Sequence, residues 1–149
     1  MSELKTFEEI EIGEEFDPVE YHLTTEMILK QAEAVEDYNP WYRQNSPFGN
    51  SIALPTVTCR DYLPLLLGWR YAFAGIGILA KHEVELLNPA RPDSRITVRG
   101  KVADKYVRRG RPYIVIECCS VDENGREITR NKHTVMLVEF GIAKGGKEA

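Results

Sequence analysis

The sequence predicts an α+β fold in which a curved antiparallel sheet wraps around one long central helix. The chain has 149 residues, 43% apolar and 28% charged, which suits one globular domain over residues 1–149 with a full-sized core. One stretch, from Thr56 to about Phe73, is apolar almost all round, as a buried helix is. Four later segments alternate like β-strands, and a single sheet must cover one face with an apolar element.

Two elements are expected before the central helix. The segment Gly13–Leu23 is predicted to be a strand, placed at an edge or interrupted by Pro18. Thr24 and Thr25 are good N-caps for a short amphipathic helix that ends at Asp37. The apolar residues expected on its inner face are Met27, Ile28, Ala32 and Val35.

The remaining strands follow the central helix, which Pro64 is expected to kink. The predicted strands are Ile78–Leu87, a segment around 96–102, Tyr113–Val121 and Thr134–Phe140, with a hairpin turn at Asp122–Gly125. In the first of these strands, alternation puts Ile78, Ala80, His82 and Val84 on one face. The ordered core is expected to span about residues 7–140, with a frayed tail at 143–149. This arrangement of one helix inside a sheet is called a hot-dog fold.

Composition and charge exclude several classes of function. The net charge of −4 does not favour nucleic acid or anionic membranes as partners. No apolar run is long enough to span a bilayer and no signal-peptide core is evident, so a cytoplasmic location is expected. Three cysteines, two of them adjacent, suit neither a disulfide framework nor a zinc site, and three histidines make a metal cluster improbable. We therefore expect no metal and no redox cofactor.

The loop from Asp37 to Thr58 is the predicted functional region. It is rich in Asn, Pro and Gly, and a loop this long inside one domain is usually functional. Its single acid, Asp37, is a candidate for proton transfer. The alternative is an Asx turn, in which the carboxylate accepts the N–H of Asn39.

Within this loop, Asp37-Tyr38-Asn39-Pro40-Trp41 resembles the Asp-x-Asn-Pro-x-His signature of the MaoC-like dehydratases and (R)-specific enoyl-CoA hydratases. Ser51-Ile52-Ala53 is similar to the Ile-Ala-x-Gly that opens the central helix of that family, and Glu85–Ser94 is similar to a later family block. The resemblance covers roughly residues 7–140. It implies the hot-dog fold and the reversible hydration of trans-2-enoyl thioesters, a lyase reaction of fatty acid metabolism.

The resemblance implies roles for two side chains and one backbone group. In the family, the Asp and His hold a water and move its protons, while the N–H of the Gly stabilises the thioester oxyanion. Here Asp37 is present, but Tyr42 occupies the His position and Pro55 the Gly position. Tyrosine has a pKa near 10 and proline has no N–H. The N–H groups of Thr56 or Val57 are possible replacements, and an Ala-x-Pro-Thr sequence here resembles non-catalytic halves or subunits.

Further residues are candidates for substrate binding. Asn39 shapes the loop, Trp41 and Phe48 are loop anchors or line an acyl tunnel, and Ser51 and Thr56 flank the start of the helix. Three arginines, Arg108, Arg109 and Arg111, crowd one turn in an acidic chain. They are candidates for binding the phosphates of coenzyme A. The alternative, given equal weight, is that they are solvated charges at an edge of the sheet. Each histidine is interpreted as a packing or surface residue.

Three functions follow from these expectations. The chain is an active hydratase that uses Asp37 with Tyr42, a non-catalytic subunit that shapes the acyl site of a heteromeric dehydratase, or an acyl-CoA thioesterase or binder on the same fold. The substrate is a thioester of coenzyme A or of a carrier protein. An exposed sheet edge predicts a homodimer, or a heteromer with another hot-dog subunit.

Overall fold

In the computed structural model, the described part of the chain comprises residues 5–63, Leu65 and residues 75–139. It contains helix α1 (Thr25–Ala34), two short 3₁₀ helices, α-helical residues at 62, 63 and 65 beside the part that is not described, and one antiparallel sheet. The strands are β1 (Val19–Leu23), β2 (Gly75–Leu86), β3 (Ser94–Arg108), β4 (Arg111–Val121) and β5 (Glu127–Glu139). Their order across the sheet is β1-β3-β4-β5-β2, so β2 forms one edge.

The first predicted strand is shorter than expected. Only Val19–Leu23 is a strand, and it pairs with β3. The lead-in reaches β3 through isolated contacts, including Gly13 N–H to Val102 O at 2.7 Å and Phe16 N–H to Gly100 O at 2.9 Å. Pro18 then follows and offers no N–H for pairing, which explains the interruption.

Helix α1 begins as predicted, because the Thr24 hydroxyl oxygen accepts the Met27 N–H at 3.2 Å. Ile28 and Ala32 are buried, but Met27 and Val35 are more than 40% exposed. Met27 lies about 100° around the helix from Ile28. Val35 is already the C-cap, outside the helix. The inward face is therefore narrower than the sequence predicts.

The central element begins as a 3₁₀ helix, Pro55–Arg60, and not as an α-helix. Its N–H groups bond three residues back, as in Val57 N–H to Leu54 O at 3.1 Å. Helical geometry continues at Tyr62, Leu63 and Leu65, and the rest of the predicted helix, with Pro64 and Phe73, lies outside the described residues. Leu65 is buried against the sheet at Gly100, whereas Leu63 is 40% exposed.

A β-bulge in β2 places its side chains on different faces from those that the sequence predicts. Leu79 pairs with Val135 and Lys81 with Thr134, which leaves Ala80 without a partner in the register. Because one inserted residue reverses the alternation, Ile78 lies on the opposite face from His82 and Val84.

Strand β5 begins seven residues before the predicted Thr134. The hairpin turn is where it was expected, with Gly125 at φ 75° and its N–H bonded to Asp122 O. The next residues that face inward are Thr129, Asn131 and His133, which are polar and buried. They interrupt the apolar alternation by which a strand is recognised in the sequence. Phe140 and the tail at 143–149 lie outside the described residues. No helix in the described part of the chain has the length and apolarity to cross a membrane.

Candidate functional site

Asp37 is positioned by the way helix α1 ends. Glu36 adopts a left-handed conformation with φ 54°, and its N–H bonds to Glu33 O. The Asp37 N–H bonds back to Ala32 O at 2.9 Å. This pair of bonds is the Schellman motif, which satisfies the last carbonyl groups of the helix. It turns the chain sharply and fixes Asp37 directly beyond the helix.

The Asp37 carboxylate meets the side chain of Tyr42, which stands at the position of the histidine in the resembled signature. The Tyr42 hydroxyl donates to Asp37 Oδ2 at 2.6 Å, and the Asn39 N–H donates to Oδ1 at 3.2 Å. The bond from Asn39 confirms the Asx turn, while proton transfer by Asp37, now the hydrogen-bond partner of Tyr42, stays a prediction. Asn39 in turn accepts the Trp41 N–H at 3.0 Å, which caps the short 3₁₀ helix Pro40–Tyr42.

Tyr42 is a donor in this pair and a poor base. Its side chain is buried, and burial together with the hydrogen bond to Asp37 raises the pKa of Tyr42 to about 12. Near neutral pH the phenol therefore keeps its proton. A histidine at this position would both give and take a proton near pH 7.

A cavity of about 400 Å³ lies beside this loop, in the size range of small-molecule sites. Its walls are mostly apolar. They come from the loop, the start of the central element, the segment after β2 and the start of β5, and they comprise Asn39, Trp41, Tyr42, Phe48, Ile52, Ala53, Leu54, Pro55, Thr58, Leu86, Leu87, Asn88, Pro89, Ala90, Ile128 and Thr129.

Backbone hydrogen bonds hold these walls together. Ile52 N–H bonds to Trp41 O at 3.0 Å, and Ala53 N–H bonds to Ala90 O at 2.8 Å. The Asn88 amide donates to Glu127 O at 2.8 Å. The segment after β2 is thus a full wall of the site. In the sequence, this segment was notable only for its family resemblance, although its Asn-Pro pair is a turn signal.

The remaining predicted residues divide into two groups. Trp41 and Phe48 form the mouth of the cavity in an edge-to-face pair with ring centroids 6.4 Å apart. Ser51 is half-buried and Thr56 is exposed, and neither lines the cavity. At the family's oxyanion position Pro55 has no N–H to offer, and the Val57 N–H is already used within the 3₁₀ turn.

The arginine turn lies far from this cavity within one protomer. Arg108 pairs with Arg111 across a two-residue hairpin, Arg109-Gly110, in which both residues have positive φ. The neighbouring strand position is Met136, seven residues along β5 from Thr129, which corresponds to roughly 23 Å. The three arginines therefore do not meet Asp37 or Tyr42 in a single chain, and their predicted role is untested.

A larger cavity, about 650 Å³, crosses the outer face of the sheet. Charged side chains line it, and several pair with each other, as in Lys132–Glu117 at 3.5 Å and Arg130–Glu85 at 3.9 Å. It has no contact with Asp37 or Tyr42. We therefore place the candidate site at the smaller, apolar cavity.

Two polar clusters in the core were missed in the sequence. Asp61 is buried and accepts the Tyr21 hydroxyl at 2.9 Å and the Ser120 hydroxyl at 2.5 Å. The His133 ring is fully buried between Tyr62 and His82, with centroid distances of 3.5 and 4.1 Å. Among the described residues, no set of three or more His, Cys, Asp or Glu side chains is arranged to hold a metal.

Comparison with known proteins gives structural neighbours only. No protein-family model and no curated protein sequence matches the chain. The structure of a MaoC-like dehydratase from Rhodospirillum rubrum is 20% identical, with a TM-score of 0.76, over 89% of this chain and 96% of that one. The (R)-hydratase from A. caviae involved in PHA biosynthesis is 16% identical, with a TM-score of 0.71, over 87% and 98%.

The HadBC complex of Mycobacterium tuberculosis, a 3R-hydroxyacyl-ACP dehydratase, is also similar. It is 14% identical, with a TM-score of 0.72, over 84% of this chain and 96% of that one. Together with the five-stranded antiparallel sheet, these neighbours confirm the predicted fold class. The chain has the hot-dog fold of the MaoC-like dehydratases and (R)-hydratases.

Proposed function

We propose that this chain is a hydro-lyase subunit of the MaoC type that binds acyl thioesters of coenzyme A or of a carrier protein. The reaction is hydration of a trans-2-enoyl thioester, or the reverse dehydration of a 3-hydroxyacyl thioester. In this proposal a second hot-dog subunit supplies the histidine and the oxyanion donor that this chain lacks. The HadBC dehydratase, a complex by its description, supports such an assembly.

The observation that carries the proposal is the 2.6 Å hydrogen bond from Tyr42 to Asp37. It ties the one acid of the loop to a phenol that keeps its proton near neutral pH. Both carboxylate oxygens already accept a hydrogen bond, and Pro55 removes the backbone donor. Losing one oxyanion donor typically costs about 10²–10³ in rate. The apolar cavity nevertheless remains open for an acyl chain.

A second candidate is a hydratase that is active as an isolated chain. It is favoured by the same contact, since the fold brings Asp37 and Tyr42 together beside the cavity. In that case Asp37 takes up the proton and Tyr42 donates one. The two candidates differ in whether a partner subunit is required.

One assay separates them. The isolated chain is mixed with crotonyl-CoA, and loss of the enoyl thioester absorbance is followed beside detection of free thiol. We expect neither signal from the isolated chain. We expect hydration after co-expression with a hot-dog chain that carries Asp-x-Asn-Pro-x-His, at a rate above that of the partner alone. Hydration by the isolated chain, abolished in Asp37→Asn, would establish the second candidate, and thiol release without hydration would indicate a thioesterase.

Restoring the family residues is the complementary experiment. Tyr42→His supplies a group that titrates near neutral pH, and Pro55→Gly supplies a backbone N–H. We expect the double variant to hydrate crotonyl-CoA measurably as an isolated chain, and each single variant at least tenfold more slowly. Equal rates in the double variant and the unaltered chain would mean that these two positions do not limit the reaction.

A further inference from the structure

Next to the cavity lining lies an arginine, Arg91, that forms no ion pair with any described carboxylate. The Arg91 guanidinium donates through Nη2 to the carbonyl oxygen of Phe48 at 2.6 Å. Phe48 and Ala90, the residue before Arg91, both line the cavity. Among the described residues, no carboxylate lies within ion-pair distance of Arg91. The bond to Phe48 thus fixes a half-buried cation where the apolar cavity opens.

The remaining donors of this side chain are available to a ligand. A guanidinium has five N–H groups in a planar fork that matches the oxygens of a phosphate. One N–H is used on Phe48. An apolar cavity with a fixed cation at its mouth fits a molecule with an apolar body and an anionic end.

We propose that Arg91 binds a phosphate on the pantetheine arm of the thioester substrate. This inference rests on the proposed function, and it assigns the phosphate contact of a single protomer to Arg91 and not to the distant turn at Arg108–Arg111. The same phosphate chemistry occurs in coenzyme A and in the phosphopantetheine of a carrier protein. The experiment therefore separates this shared phosphate from the nucleotide phosphates that only coenzyme A carries.

The alternative role for Arg91 is purely structural. Its hydrogen bond staples the Ser46–Asn50 loop to the segment after β2, and losing that staple would disturb any ligand in the cavity. A structural role therefore weakens ligands with and without phosphate to the same extent. A phosphate contact weakens only the ligands that carry phosphate.

The experiment measures the dissociation constants of three ligands by calorimetry: crotonyl-pantetheine, crotonyl-4′-phosphopantetheine and crotonyl-CoA. Each ligand is titrated against the unaltered chain and against Arg91→Gln. The partner subunit is present in both titrations if binding requires it. We expect Arg91→Gln to bind both phosphate-bearing ligands roughly tenfold more weakly, since hydrogen bonds to charged groups are worth about one decade in affinity. Crotonyl-pantetheine should bind within twofold of its original affinity. If only crotonyl-CoA weakens, the contact is with the nucleotide phosphates and not with the phosphopantetheine phosphate.

Two further variants keep the result interpretable. Arg91→Lys retains the charge but loses the fork, so we expect an intermediate loss for the phosphate-bearing ligands. The control Arg99→Gln removes an exposed arginine that lines the larger cavity and not the candidate site, and it should leave all three affinities unchanged. Equal weakening of all three ligands in Arg91→Gln, or a phosphate-specific loss only in the control, would overturn the inference. A chain that binds none of the ligands, with or without its partner, would instead contradict the proposed function.

Discussion

At the scale of single residues, the hydroxyl of Tyr42 is the group that distinguishes this site from a histidine-bearing one. It donates to Asp37 Oδ2, so Tyr42→Phe leaves that oxygen without its donor. We expect Tyr42→Phe to lower the free energy of unfolding by about 1–2 kcal/mol at pH 8, measured by urea denaturation. The control is Tyr38→Phe, because Tyr38 is 69% exposed and makes no comparable bond.

The pH dependence of the same bond has a definite sign. Burial, together with the hydrogen bond to Asp37, raises the pKa of Tyr42 from 10.0 to about 12, so the buried neutral phenol contributes stability fully below pH 10 and this contribution is lost as the pH rises towards 12. The stability difference between the unaltered chain and Tyr42→Phe should therefore shrink between pH 8 and pH 11. A stability difference that stays constant from pH 8 to pH 11 would contradict the raised pKa of the Tyr42 hydroxyl.

A second prediction at the scale of single residues concerns Asp61, whose contribution to stability changes at a lower pH than that of Tyr42. Burial raises the pKa of Asp61 from 3.8 to about 6, although the bonds from Ser120 and Tyr21 and the charge of Arg60 oppose the shift. A raised carboxyl pKa means that the folded state favours the protonated form. Its contribution to stability is therefore complete below pH 3.8 and is lost as the pH rises through 6.

Asp61→Asn removes this titration while preserving the shape of the side chain. Between pH 4 and pH 7, the unaltered chain should lose about 2–3 kcal/mol of stability relative to Asp61→Asn, measured by urea unfolding across that range. The control is Asp93→Asn, which changes a largely exposed carboxylate. Parallel stability curves for Asp61→Asn and the unaltered chain would contradict the raised pKa.

At the scale of elements, the contact between the central helical segment and the sheet depends on Gly100. A Cβ added at Gly100 would lie 2.8 Å from Leu65 Cδ1 and 2.9 Å from the Glu117 carbonyl oxygen. Because the carbonyl belongs to the β4 backbone, it cannot move aside cheaply. We expect Gly100→Ala to destabilise the fold by about 1–3 kcal/mol, measured by urea unfolding.

A double-mutant cycle tests which neighbour is responsible. In a Leu65→Ala background the side-chain clash is gone, so Gly100→Ala should cost less than in the unaltered chain. Part of the cost should persist, since the Glu117 carbonyl remains. An equal cost in both backgrounds would mean that Leu65 does not press on the sheet at this position.

The elements also explain what the sequence could and could not predict. Thr24 as N-cap and Asp122–Gly125 as hairpin turn were correct, because both signals depend on local hydrogen bonds. The faces of β2 were wrong, because the bulge at Ala80 depends on pairing with β5, which no local pattern records. The early part of β5 was missed because buried polar residues such as Asn131 break the apolar alternation.

The candidate site was likewise predictable only where it depends on local sequence. Asp37 and Tyr42 lie five residues apart, and the turn between them brings them into contact, so the local sequence was sufficient. Arg91 lies within the Glu85–Ser94 block, but the resemblance gives it no role, because its contact with Phe48 joins residues distant in sequence. Asp61 lies outside the matched motifs and was not singled out, because its contact with Ser120 is equally distant in sequence.

At the scale of the whole molecule, the edge strand β2 presents apolar side chains to solvent. Among the described residues, β5 is the one strand that pairs with it along its twelve residues, so its other side is an edge of the sheet. Four of its apolar side chains are between 38% and 55% exposed, namely Ile78, Leu79, Val84 and Leu86. A long apolar edge strand is a template for pairing with another chain. We infer that β2 is where the hot-dog partner of the proposed assembly docks.

Charging this edge should therefore prevent assembly without unfolding the chain. Leu79→Lys/Val84→Lys places two charges at positions that are exposed in one protomer but buried once a partner pairs with β2. Burying an unpaired charge costs several kcal/mol, which is more than the free energy gained from the contacts that these two positions make with a partner. We expect light scattering after size exclusion, with the chain co-expressed with its histidine-bearing hot-dog partner, to give a complex for the unaltered chain and separate chains for this variant. The matched control, Ile12→Lys/Met27→Lys, adds the same charge at exposed apolar positions away from β2 and should remain oligomeric. If the edge variant assembles as the control does, the partner binds elsewhere, and the missing histidine must reach Asp37 from another face of the molecule.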